Sequence, residues 1–430
     1  MMRSALLLAS VLSVTALFVA CSGSGGGAAP SGTDGGNQTD GGGGFDAGPP
    51  RKIDPATIQM NDVSILLPLP RNAAEGDLFL KASDVGVGGP LLTQAVYDGA
   101  TGEDADAGPA PGGPVPVPYA GLRVVGIRLD PCFANIGPVT DVASCKNQMR
   151  LVLQPFFNDA DGNVKAVDVG VHAFYSLGRD ELVSMVNEVK KLRAASGSGA
   201  LDLGPLAVHP IVSKEGATGP FMTGLRKLVL AHAGQQNFFR FTRIQVGNGN
   251  RTWIFSGFDV AADKTTSMII PKVPGDATQV TFFQGFADDL EGQFNPATNS
   301  NDDMQLLGNV NEAQDSAKEA QKAAFDSALR IENPNKHSPN TIDCASCHLA
   351  SPGRALTGQT LGLTDVGNAN AFKITSRWIA PEDLAITTPQ KDALNGVNVH
   401  VFSYKDGEAM IAPRAVNETA AIVDYLNGIR

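Results

Sequence analysis

The chain has 430 residues, 43% of them hydrophobic, and a formal net charge of −11 from 44 acidic and 33 basic side chains. A chain of that length can hold two or three domains with sizeable cores. Its acidic balance, with no basic block anywhere, excludes nucleic acid as a partner and argues against attraction to an anionic membrane surface.

Arg3 begins a positive start, and residues 5–20 form an apolar run with small residues near its end. This pattern predicts a secretory signal over residues 1–20, too short for a permanent membrane span. The run closes on Phe18-Val19-Ala20-Cys21, which resembles the lipobox of bacterial lipoproteins. That resemblance implies that Cys21 becomes the acylated first residue of the mature chain. The protein is then exported and held on the bacterial cell envelope, at the periplasmic side or cell surface, by its lipid anchor alone. Residues 21–52 are almost wholly Gly, Ser, Ala, Asp, Thr and Pro, a composition that cannot bury enough apolar surface to fold. They read as a tether, reaching some tens of ångströms at about 5–6 Å × √n.

Residues 53–310 read as a β-rich domain, sandwich-like or α+β. Alternating β-branched runs predict strands over 121–129, 148–154 and 164–175, then a hairpin from 238–246 to 251–258 and a strand over 278–283. Residues 98–118, rich in Gly, Asp, Ala and Pro, read as a long exposed loop. The acidic turn at Asp159-Ala160-Asp161-Gly162 places its glycine too early for a calcium loop, so a hairpin turn is expected. Helices are expected over 179–193, where Leu182, Val186, Val189 and Leu192 share a face, and over 221–233. Cys132 and Cys145 are expected to form a disulfide in an exported chain. His172, His209 and His232 read as core or surface residues. Asp288-Asp289 near Glu291, and Asp302-Asp303, read as solvated loop charges. No Ser-His-Asp order, nucleophile elbow or phosphate loop is visible.

The character changes over 311–430. Residues 311–331, Ala-rich, charged and free of Gly and Pro, predict a helix stopped by Asn333-Pro334. Cys344-Ala345-Ser346-Cys347-His348 follows, the attachment pattern of a c-type haem. Its spacing has a chemical reason: two thiols add to the vinyl groups on one porphyrin edge, and the histidine ligates the iron from the proximal side. With 5 cysteines and 6 histidines in the chain, chance gives this pattern only about once in a thousand such sequences. Structural zinc needs four ligands, and a thioredoxin-like dithiol needs a preceding β-strand pattern that is absent here. Residues 350–410 read as loop-rich, and 415–426 as a closing helix.

Helix, CxxCH, loops and a last amphipathic helix follow the order of elements in class I cytochrome c domains, which residues 311–430 resemble. The resemblance implies an all-α monohaem domain with Cys344 and Cys347 attached to haem c and His348 on the iron. It also implies Met410 as distal ligand, with His400 and His337 as alternatives. The whole then reads as a multidomain lipoprotein passing single electrons between redox protein partners in the cell envelope. Two other readings stay open: a cell-surface binding or sensory lipoprotein with a structural or ligand-binding haem, and a haem enzyme with an open distal site.

Overall fold

In the computed structural model the residues described are 57–106, 117–131, 146–198, 205–246, 253–271, 273–275, 277–283, 298, 301–358, 360–363 and 398–428. In chain order, α1 (Met60–Val63), β1 (Ser64–Leu66), α2 (Ala73–Gly76), β2 (Val85–Gly86), β3 (Gly89–Pro90) and α3 (Gln94–Asp106) come first. The long strands follow as β4 (Leu122–Asp130), β5 (Asn147–Asn158), β6 (Val164–Ala166) and β7 (Val169–Leu177). Helices α4 (Arg179–Arg193), α5 (Pro210–Glu215) and α6 (Pro220–His232) precede β8 (Phe238–Val246), β9 (Trp253–Ala261), β10 (Lys264–Ser267) and β11 (Thr281–Phe283). The C-terminal part holds α7 (Val310–Asp315), α8 (Lys318–Ile331), α9 (Cys344–Gly353), β12 (Phe402–Lys405), β13 (Glu408–Ile411) and α10 (Pro413–Gly428).

Nine strands make one antiparallel sheet in the order β1-β4-β5-β7-β8-β9-β10, with β6 added on β5 and β11 on β9. Successive side chains of a strand face opposite ways, so the register divides the sheet into two surfaces. Ile127, Leu151, Ala173, Phe241 and Phe258 stand side by side in one row. They pack with Leu182, Val186 and Val189 of α4 and Phe221, Leu225 and Val229 of α6. Each such large side chain contributes roughly 1.5–3 kcal/mol on burial.

The neighbouring row, Gly126, Val152, His172, Thr242 and Gly257, belongs to the opposite surface. Ile244 and Phe255 share that surface, where they join Ala324, Ala328 and Ile331 of α8 and Ala345, Leu349 and Ala350 of α9 in a second core. The sheet thus lies between α4 and α6 on one side and α8 and α9 on the other. Glycine permits the close approach: a Cβ on Gly257 would lie 2.8 Å from the Cβ of Gln279.

The helices expected over 179–193 and 221–233 are present as α4 and α6, and the acidic turn joins β5 to β6 with Gly162 at φ +83°. Elsewhere the chain departs from expectation. Residues 98–106, expected as loop, continue helix α3. The helix expected over 311–331 is two: Asn309 caps α7, and Gln321 donates to the Ala313 and Ser316 carbonyls across the break before α8. Residues 311–430 are not all helical, because β12 and β13 pair through Asp406-Gly407, with Asp406 at φ +53°. Nor does a break in packing fall near residue 311: Arg51–Arg430 clusters as one unit, and Phe402, Tyr404, Val416 and Ile422 enter the same core as β4 and β5. Asp302 is no solvated charge but binds Arg330 and His337.

Candidate functional site

Helix α9 opens at the CxxCH motif itself. Asp343 is its N-cap, accepting from the Ser346 amide at 2.9 Å and from the Ser346 hydroxyl at 2.7 Å. Starting the helix there puts Cys344, Cys347 and His348 at i, i+3 and i+4, on one face. Ala345 and Leu349 take the adjacent face and pack into the second core. Gln279 anchors the helix start to the sheet. Its Oε1 accepts from the Cys344 amide at 2.6 Å, while its Nε2 donates to the carbonyls of Pro339 at 2.8 Å and Ile342 at 3.2 Å.

Both thiols are free. Burial, reinforced by Cys347 and Asp343, pushes the Cys344 thiol far above its ordinary range. Burial also raises Cys347, to about 11, against the nearby charge of Arg414. These are neutral thiols, unlike the low-pKa thiolate of a dithiol oxidoreductase. The ring of His348 bonds through Nδ1 to the Val399 carbonyl oxygen at 2.8 Å. Nδ1 is therefore the protonated nitrogen, and Nε2 keeps a lone pair for a metal. Burial holds His348 down to about 4, although the bond to Val399 acts the other way, so the ring is neutral at pH 7.

The other expected ligands are placed differently. Met410 is buried in β13, opposite Ser403. His400 has both ring nitrogens engaged: Nε2 with Asp168 at 2.8 Å and Nδ1 with Ser403 Oγ at 2.8 Å. His337 likewise bonds Asp302 at 2.8 Å through Nε2 and Thr341 Oγ1 at 3.4 Å through Nδ1. Cys21, Cys132 and Cys145 lie outside the described residues, as do Asp288, Asp289 and Glu291.

Several residues near the motif were not singled out by sequence. Asp343 carried a signal, an N-cap type directly before a helix start. Gln279, the Val399 carbonyl and Phe255, whose ring lies 5.5 Å from that of His348, carried none. His172 stands on β7 with its ring centre 6.4 Å from that of His348. Arg150, two rungs away on the same sheet surface, has a buried Nε without a hydrogen-bond partner.

The donor set fits a covalently held haem. Two neutral thiols and one imidazole with a free Nε2 share a helix face, and the nearby Arg150 guanidinium is paired with Asp130 at 2.9 Å. Among the described residues no group of three or more His, Cys, Asp or Glu is arranged to hold a bare metal ion. A porphyrin supplies four of the iron's ligands itself and asks the chain for only one or two. Comparison with known proteins gives no match to this chain among protein families, curated proteins or solved structures. Among the described residues no helix is long and apolar enough to cross a membrane.

Proposed function

We propose that this chain is an envelope-anchored c-type cytochrome that carries one covalent haem and passes single electrons between redox proteins. One observation carries the reading: α9 presents Cys344, Cys347 and His348 together, with His348 Nδ1 committed to the Val399 carbonyl. Cys344 and Cys347 would hold the haem through thioether bonds to its two vinyl groups, and His348 would ligate its iron. The bound haem supplies an Fe(III)/Fe(II) couple. The chain's residues fix where that couple sits. Val399 orients the His348 imidazole, and the Phe255 ring packs beside it.

The resemblance to class I cytochrome c domains rests on the order α8, CxxCH and α10. In this reading those elements are built onto the sheet, with the β12–β13 hairpin inserted between motif and last helix. In the same reading acylated Cys21 and the Gly-rich tether would hold the body at the membrane, and Cys132 would pair with Cys145. Purified from cells that attach haem c, the protein should give a reversible one-electron optical redox titration. A spectrum insensitive to applied potential would end the carrier assignment.

A further inference from the structure

We propose that His172, from the central strand β7, is the distal ligand of the haem iron, facing His348 across it. The assignment rests on the haem reading above and goes beyond it.

Spacing is the first argument. Two imidazoles on opposite sides of one iron have ring centres about 6.4 Å apart, twice a metal–nitrogen bond of about 2 Å plus about 1.2 Å from nitrogen to ring centre. The rings of His172 and His348 are 6.4 Å apart, with planes inclined by 35°.

Availability is the second. The chain has 6 histidines. His209 accepts from the Val212 amide, His232 binds Glu181, His337 binds Asp302, His348 binds Val399, and His400 binds Asp168 and Ser403. His172 makes only ring contacts, to Phe174 and to His348, and no hydrogen bond engages it among the described residues.

Surroundings are the third. Cys344, Cys347, His348 and His172 all lie deep among protein atoms, yet each keeps part of its surface in contact with solvent. The side chains beside His172 in its row, Val152 and Thr242, are short, while along β7 the His400 ring lies over Gly170 before it and Phe174 follows it on the same surface. Met410, the alternative, is one of the buried residues of a paired strand.

The test uses the full-length haem-loaded protein. Electron paramagnetic resonance of the oxidised wild type should show a low-spin, bis-imidazole signal, without the weak far-red methionine band in the optical spectrum. His172→Ala should become high-spin, bind carbon monoxide on reduction where the wild type does not, and return to low spin with added imidazole. Met410→Leu should leave the spectrum unchanged. A methionine band lost in Met410→Leu, or a His172→Ala protein still low-spin without imidazole, would overturn the assignment. If His172→Ala does not fold, the wild-type signal decides alone. A haem-stained denaturing gel separates failure of this ligand from failure of the haem reading, since only the latter leaves the band unstained.

Discussion

The imidazole of His348 meets the buried carbonyl of Val399 at 2.8 Å, and this bond joins the CxxCH helix to the segment leading into β12. It selects the tautomer that leaves Nε2 facing away from Val399, and it holds the ring against rotation. A covalent cofactor could be attached without it. A fixed proximal ligand could not.

Gln279 is the second point at which α9 is held. Gln279→Ala removes this partner from the buried Ile342 carbonyl, the half-buried Cys344 amide and the carbonyl of exposed Pro339. A loss of about 1–3 kcal/mol is expected for unsatisfied buried groups. Gln279→Glu should be worse at pH 7, because a carboxylate then faces two carbonyl oxygens. Denaturant midpoints of the three proteins check the order, and equal stability of all three would remove Gln279 from its anchoring role.

Glu332 and Arg354 form a pair with side chains 0% and 1% exposed, and the Ser351 hydroxyl also donates to Glu332. Arg354→Met should cost about 3–5 kcal/mol by stranding a buried carboxylate. The double variant Arg354→Met/Glu332→Leu should recover much of that loss. A double variant no more stable than the single one would show that the cost lies in packing around α9 instead.

How far the sequence foretold these relationships depended on the range over which each signal acts. The CxxCH pattern is local and was legible, as were α4 and the long strands, whereas the helix α9 that carries the pattern was not expected there. The β12–β13 hairpin also had a local signal, Asp406-Gly407 between alternating residues, inside the stretch expected to be loop-rich. The meeting of His172 with His348 depends on strand order and register across the sheet, which no spacing in the chain encodes. The pairing of Asp302 with His337 and Arg330 was hidden for the same reason.

His209 sets a pH dependence that is independent of the haem. Burial, assisted by the charge of Arg193, lowers it from 6.5 to about 3, and its Nε2 is buried without a partner. Between those values the unfolded chain binds a proton that the folded chain does not. Its contribution is therefore complete above pH 6.5 and falls as pH falls toward 3, by about 1.4 kcal/mol per unit. Moving from pH 7 to 4.5 should cost on the order of 2–3 kcal/mol through this residue. His209→Asn keeps a side-chain acceptor for the Val212 amide and should flatten the profile by that amount. Unfolding curves at both pH values measure it, and identical slopes in the two proteins would contradict the assignment.

Cys21→Ser should release the protein from membranes. Each buried acyl methylene contributes about 0.8 kcal/mol, so loss of the chains leaves no comparable attraction for an acidic body. Metabolic labelling with a fatty acid should mark the wild type and not the variant; equal labelling of both would place the anchor elsewhere.

The most direct test of the central claim is a haem-stained denaturing gel with a pyridine haemochrome spectrum, run on protein from cells that carry the attachment machinery. The wild type should retain one haem per chain through denaturation, with both vinyl groups consumed. Cys347→Ser should show a haemochrome band shifted by one unreacted vinyl group, or no retained haem. A wild-type chain that carries no haem after denaturation, or a Cys344→Ser/Cys347→Ser variant that still carries it, would contradict the account.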